Sequence, residues 1–277
     1  MAEVSELISY LLPHMITAGA YSAQVQGEVS AHEAKKGETI FHQALSDADL
    51  TIQAYFEVVL LARYPQLHFF SEEQDKSLNR KYFLGTSNLE VLLDPVDGTR
   101  PYIDGRESYQ IIVAIHDERE MVGAICYLPR REKCFVAAKD KGAFVLSREE
   151  ILSGKVGTPL KVSASQGPVL VFNSPSLVEK LSRSLDVKDL MVSYLEDPGR
   201  HSSTDLLEGR ATAVVHETCQ AIDGGALAFI AQEAGAIVSS FTGQPMGSFR
   251  ARDSRTQSHV VVAATDRVYQ KVLAALK

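Results

Sequence analysis

Apolar residues recur at helical spacing through the first twenty positions, MAEVSELISYLLPHMITAGA, and again from about Ser46 to Arg63, where Ser46 and Asp47 can cap the start and Pro65 follows the end. Beyond Pro65 the rhythm shortens. LHFF at 67–70 and LEVLLD at 89–94 are brief apolar runs, and SYQIIVAIHD, MVGAICYL and KCFVAAK follow as strands separated by charged or turn residues. After the Ser/Gly/Lys/Pro-rich stretch SGKVGTP (153–159) strands and helices alternate. PVLVF is a strand, a helix starts near Ser176, LMVSYL is a strand, and a short helix covers Ser203 to Glu208. ATAVVHE is the next strand, a helix runs from about Asp223 to Ala234, and HVVVAAT leads into a last helix over DRVYQKVLAALK. The pattern predicts two α/β lobes, residues 1–152 and 153–277, with no internal repeat or low-complexity tract.

Composition narrows the functional classes. With 277 residues, 45% hydrophobic and 23% charged, the chain can bury a large core, and no window holds the roughly 18 uninterrupted apolar residues of a membrane span. Glu3 and Glu6 stand where a secretory signal would carry positive charge, so the first segment reads as an ordinary helix. Cys126, Cys134 and Cys219 are an odd count without a CxxC pair, which argues against a disulfide framework and a zinc or iron–sulfur site and for a reducing, cytoplasmic setting. A net charge of −7 offers no general field for nucleic acid or an anionic membrane. An anionic substrate would need a local source of positive charge.

The candidate for that source is itself acidic: LLDPVDGT ends an apolar strand in two aspartates. An EF-hand fails on spacing, because counting from Asp94 puts Val96 at position 3 and Gly98 at position 5. Aspartate-nucleophile phosphatases separate their two aspartates by one residue, and here Pro95 and Val96 intervene. Walker A, HExxH, GxSxG and dinucleotide fingerprints are absent. Where a strand gives way to a helical turn, Asp94 and Asp97 can face one cation with the Val96 carbonyl, Gly98 permits the tight backbone, and the Thr99 hydroxyl can meet a phosphate or a water. Oxygen ligands select Mg²⁺, Mn²⁺ or Ca²⁺. Glu72, Glu73 and Asp223 are further acids, although singly each also reads as a turn acid or a helix cap.

The set SEE, DPVDGT and IDGGALAFIAQEAGA, in this order, resembles the inositol monophosphatase family of Mg²⁺-dependent, lithium-sensitive phosphomonoesterases. The resemblance implies an α/β fold of mixed α+β lobes, the layered αβαβα sandwich shared with fructose-1,6-bisphosphatase, and a homodimer acting on a small phosphorylated metabolite. It implies that Glu72, Asp94 and the Val96 carbonyl bind a first metal and that Asp94, Asp97 and Asp223 bind a second, with a third ion near Glu72 and Mn²⁺ as a substitute. Thr99 would pair with Asp49, or with Asp47 two residues away, to activate water, with Glu73 assisting through a hydrogen bond. Gly98, Thr99 and Glu217 would contact substrate. Four ligand carboxylates carry −4, so the metal-loaded site alone can accept a phosphate dianion.

The departures from the family concern specificity. Ile222 replaces the usual tryptophan, Arg100-Pro101-Tyr102 follow DGT, and RHSSTD (200–205) stands where a Gly-Ser-x-Ala segment opens a helix. Glu217 stands six residues before Asp223, and His216 occupies the seventh. A small polyol or sugar phosphate is the first substrate class implied. Histidinol phosphate, a 3′,5′-bisphosphonucleotide, or a non-catalytic regulatory role are the alternatives.

Overall fold

The computed structural model describes residues 2–28, 46–172, 174–197, 201–245 and 255–277. Helix α1 (Ala2–Val25) and helix α2 (Asp47–Arg63) turn Leu7, Leu11, Met15, Ile52, Phe56 and Leu60 inward. Seven strands follow in sequential order across one sheet: β1 (His68–Ser71), β2 (Glu90–Asp97), β3 (Gln110–His116), β4 (Met121–Leu128), β5 (Lys133–Ala138), β6 (Gly142–Ser147) and β7 (Thr158–Pro159). β1 and β2 are parallel and the remaining pairs antiparallel. Helices α3 (Thr99–Ile103) and α4 (Arg148–Leu152) are short turns at strand ends.

The second sheet joins β8 (Val169–Val171), β9 (Val187–Asp189), β10 (Ala213–Gln220), β11 (Ile237–Ser240) and β12 (Thr256–Ala263) in the order β11-β12-β10-β8-β9. Its helices are α5 (Pro175–Ser182), α6 (Leu190–Glu196), α7 (Ala226–Glu233) and α8 (Asp266–Ala275).

Strand alternation makes the layers. In β2 and β3, Val91, Leu93, Ile111 and Val113 share a core with α1 and α2, while Leu92, Ile112 and Ala114 face α7. The same central core takes Val214, Val260 and Val262 from the second sheet, whose other face (Val169, Val171, Val215, Val261) packs under α5 and α8. Three apolar cores, the central one enclosing α7 between the two sheets, thus hold together five layers, helix, sheet, helix, sheet, helix, which is the αβαβα sandwich. Among the described residues no helix is long and apolar enough to cross a membrane.

Three sequence expectations need correction. LMVSYL is helix α6 rather than a strand, because the Asp189 carboxylate caps it by accepting from Met191 N (2.8 Å) and Val192 N (3.3 Å). Residues 203–208 form turns rather than a helix. There the buried Asp205 carboxylate accepts from Ser202 Oγ (2.9 Å) and Arg210 Nε (3.1 Å), folding the segment around itself. The helix expected from Asp223 opens instead with a π-turn over Ala221–Gly225. Arg200, the first residue of RHSSTD, lies outside the described residues.

Candidate active site

Parallel pairing brings the first two acidic segments together. Ser71 stands opposite Leu93 and Glu72 N donates to Leu93 O at 3.2 Å, so Glu72 and Glu73 leave β1 beside the point where β2 reaches Asp94. β2 then bulges: Asp94 faces Ile112 and Asp97 faces Gln110, three steps along β2 against two along β3, with Pro95 unable to donate to the ladder. The bulge aims both aspartates off the strand end. Gly98 turns the chain into α3 with φ 85°, and a Cβ there would lie 3.0 Å from the Ser108 carbonyl oxygen.

Thr99 therefore starts α3 with its Oγ 3.2 Å from Asp49 Oδ1 and 2.9 Å from the Val96 carbonyl oxygen. Asp49, fully buried near the start of α2, is held by its other oxygen, which accepts from Ser46 N (2.9 Å) and Ser46 Oγ (2.6 Å). One turn on, Gln53 Nε2 donates to the Glu73 carbonyl at 3.1 Å and ties α2 to the acidic loop. Asp223 arrives from the π-turn after β10, which packs on β2 and β3.

The result is a pocket of about 150 Å³ lined by Glu72, Asp94, Val96, Asp97, Gly98, Thr99 and Asp223. Electrostatically it is a concentration of like charge. Burial and the charges of Glu72, Asp97, Asp223 and Asp49 push the Asp94 carboxyl well above the usual range. Burial also raises Asp97 to about 6 despite a hydrogen bond from Gln110. Burial and the Asp97 charge raise Asp223 to about 8. Arg100, the one arginine or lysine on the pocket wall among the described residues, is committed to Asp104 at 2.9–3.0 Å, and Tyr194 Oη donates to the same carboxylate.

Among the described residues no three of these acids form a ready-made metal cage. Their oxygens are turned to local donors: Asp94 accepts from Val96 N (3.1 Å), Asp97 from Gln110 Nε2 and Asp223 from Gly224 N. The donor set is all oxygen, and its raised carboxyls show how poorly the site tolerates its own charge, which suits a hard divalent cation.

Seven of the residues singled out from sequence share this pocket, Asp49 joins through Thr99, and Glu73 lies buried behind it on the Gln53 bond. Asp47 has no place on its wall. Glu217 is apart: exposed on β10, it accepts from Ser174 Oγ at 2.6 Å and lines an adjoining, larger cavity. His216 lines that cavity too, held down to about 4 by burial. His201 sits on the acid pocket with Nδ1 3.1 Å from Asp205. Sequence reasoning missed Gln110 and Ser203. Gln110 Nε2 donates to Asp97 and to Ser203 Oγ (2.7 Å), and its signal was a lone amide opening the otherwise apolar start of β3.

Comparison with known proteins agrees with the architecture. A putative Nus factor SuhB of Neisseria meningitidis serogroup B is 25% identical over 262 residues, 92% of each chain. A Streptomyces griseus protein named glucose-1-phosphate thymidylyltransferase is 30% identical over 205 residues, 72% of this chain and 73% of that one. A solved IMPase/NADP phosphatase, complexed with Mg²⁺ and phosphate, superposes with a TM-score of 0.70 at 17% identity, covering 99% of this chain and 95% of that one. The model of the inositol monophosphatase family matches residues 9–277, and the chain belongs to that family.

Proposed function

We propose that this chain is a Mg²⁺-dependent phosphomonoesterase that hydrolyses a small phosphorylated metabolite by attack of water, without a phosphoenzyme. The observation that carries the reading is the Thr99 hydroxyl, set between Asp49 and the Val96 carbonyl on the wall of a pocket of buried acids. A hydroxyl has one hydrogen. Donated to Asp49, which Ser46 holds in place, it leaves the Thr99 lone pairs free to accept from a water and to orient it, with Asp49 as the eventual proton sink. Glu73 supports the same end of the pocket from behind.

Glu72, Asp94, Asp97, Asp223 and the Val96 carbonyl are the proposed metal ligands. Bound ions would supply the positive charge that admits a phosphate dianion and lowers the pKa of water. Gly98 and Thr99 would meet the phosphate with backbone N–H groups, and Glu217 would act further out, beside the alcohol. The name of the Streptomyces relative suggests nucleotidyl transfer, but a hydroxyl–carboxylate pair that orients water favours hydrolysis. Similarity to a Nus factor along 92% of both chains supports a second, regulatory reading.

Phosphate release from inositol 1-phosphate, histidinol phosphate, adenosine 3′,5′-bisphosphate and simple alkyl phosphates, with Mg²⁺ titrated and EDTA as control, tests the proposal. Metal-dependent turnover of at least one ester is expected. Mg²⁺ binding with no turnover of any would overturn it in favour of the regulatory role.

A further inference from the structure

The larger cavity, about 400 Å³, runs from the acid pocket into the seam between α7 and the second sheet. The two spaces share Asp97, Asp223, Ser203, Gln220, Phe172 and Leu190 at their junction, so an ester whose phosphate sits against the acids would direct its alcohol into this annex. Its buried wall is apolar, with Leu206, Leu207, Val214, Leu227 and Val262, while its more exposed rim carries Ser203, His216, Glu217, Thr218 and Gln220. Leu206 and Leu207 reach it because residues 203–208 fold as turns around Asp205 rather than as a helix. Among the described residues no lysine or arginine lines it, and its charged groups, Asp97, Asp223 and Glu217, are all acidic.

This chemistry is wrong for two substrate classes. Among the described residues a second phosphate would find no lysine or arginine there, and Glu217, which is not one of the proposed metal ligands, would repel it. A polyol seated deep in the annex would lose water from several hydroxyls against Leu206, Leu207, Val214 and Leu227, because the polar groups stand at the rim, where Glu217 accepts from Ser174. We infer that the annex takes the alcohol half of the substrate and that this alcohol is a bulky, uncharged alkyl or aryl group. The inference rests on the phosphomonoesterase reading and narrows its substrate class.

The test is a series of primary-alcohol phosphates of matched leaving-group basicity: ethyl, butyl, hexyl and 2-phenylethyl phosphate, against inositol 1-phosphate and glycerol 2-phosphate, all at saturating Mg²⁺. Burial of each added methylene is worth about fourfold, so kcat/KM should climb by more than tenfold from ethyl to hexyl and exceed the polyol esters. Ala228 on α7 lines the annex, and Ala228→Leu fills part of it and should flatten the climb. Independently of turnover, 2-phenylethanol should shift the melting temperature of the wild-type protein upward. A flat series, a preference for the polyol phosphates, or a climb that survives in a folded A228L would overturn the inference. Failure of every ester would instead condemn the phosphomonoesterase reading.

Discussion

At the scale of the residue, Thr99 and Asp94 separate two roles that are close in space. Thr99 Oγ has two acceptors within 3.2 Å and no structural burden that a serine could not carry. Thr99→Val should lower kcat by about a hundredfold or more with KM little changed, while Thr99→Ser keeps most activity. Steady-state kinetics on both variants checks this, and an active valine variant would remove the hydroxyl from the mechanism. Asp94 behaves differently because its charge is repelled from four sides. Asp94→Asn should abolish Mg²⁺ binding in calorimetry and turnover with it. The same change should raise the melting temperature in EDTA at pH 8, because it removes a buried carboxylate that the metal-free fold must otherwise protonate or pay to ionise.

At the scale of the element, what sets the site is how segments end. Gly98 leaves β2 in the left-handed region, and alanine there costs about 1–2 kcal/mol for φ alone, before its Cβ presses on the Ser108 carbonyl at 3.0 Å. Gly98→Ala should lower the melting temperature by several degrees and depress kcat, since it moves Thr99. The turn segment 201–210 is fixed by charge instead. Burial pushes the Glu208 carboxyl up, but hydrogen bonds from Lys133 and Arg210 and the charges of Arg210 and Arg131 outweigh it and bring it to about 2. The stabilisation is therefore complete above the ordinary value of 4.5 and is lost as pH falls toward 2. With its cations partly exposed, Glu208→Gln should cost about 2 kcal/mol at pH 7, read by urea denaturation, and the gap to wild type should narrow in acid.

These elements also mark where the sequence was legible. β2, β3, β4 and α2 follow from period and caps, whereas the acids after β1, at the end of β2 and in the turn before α7 were singled out as a set only through the resemblance to a family. The segment after Asp189 misled because its apolar run resembles a strand, and only the capping geometry of Asp189 makes it α6. Residues 203–208 misled because their folding depends on an aspartate's contacts with Ser202 and with Arg210, five residues further on. Gln110 carried only the weak signal of a polar residue opening an apolar strand, because its role depends on the register of β3 against a bulge. That register exists only in three dimensions.

At the scale of the whole molecule, the acid pocket joins elements from both sheets and lies at the edge of the central core, so its charge bears on the stability of the fold. Asp223 at about 8, Asp97 at about 6 and Asp94, also raised well above the ordinary range, hold protons in the folded state that an unfolded chain releases near 3.8. Groups whose folded value is raised bind more protons folded than unfolded, so metal-free stability falls as pH climbs through that window, by about 1.4 kcal/mol per pH unit for each such group. His216, depressed to about 4 from 6.5, works in the opposite sense, but its contribution is complete once pH passes 6.5. The clean window is pH 6.5 to 8.5. In EDTA the melting temperature should fall across it, and the slope should be smaller in Asp94→Asn, which separates the pocket from the general repulsion of a chain carrying −7. Saturating Mg²⁺ should reverse the trend, raising the melting temperature more at pH 8.5 than at 6.5, because at lower pH the ion must first displace protons. Calorimetry in buffers of different ionisation enthalpy would count those protons. A metal-free melting temperature that stays level or rises from pH 6.5 to 8.5 would show that the acids share no buried field, and the case for the pocket as a metal centre would fall with it.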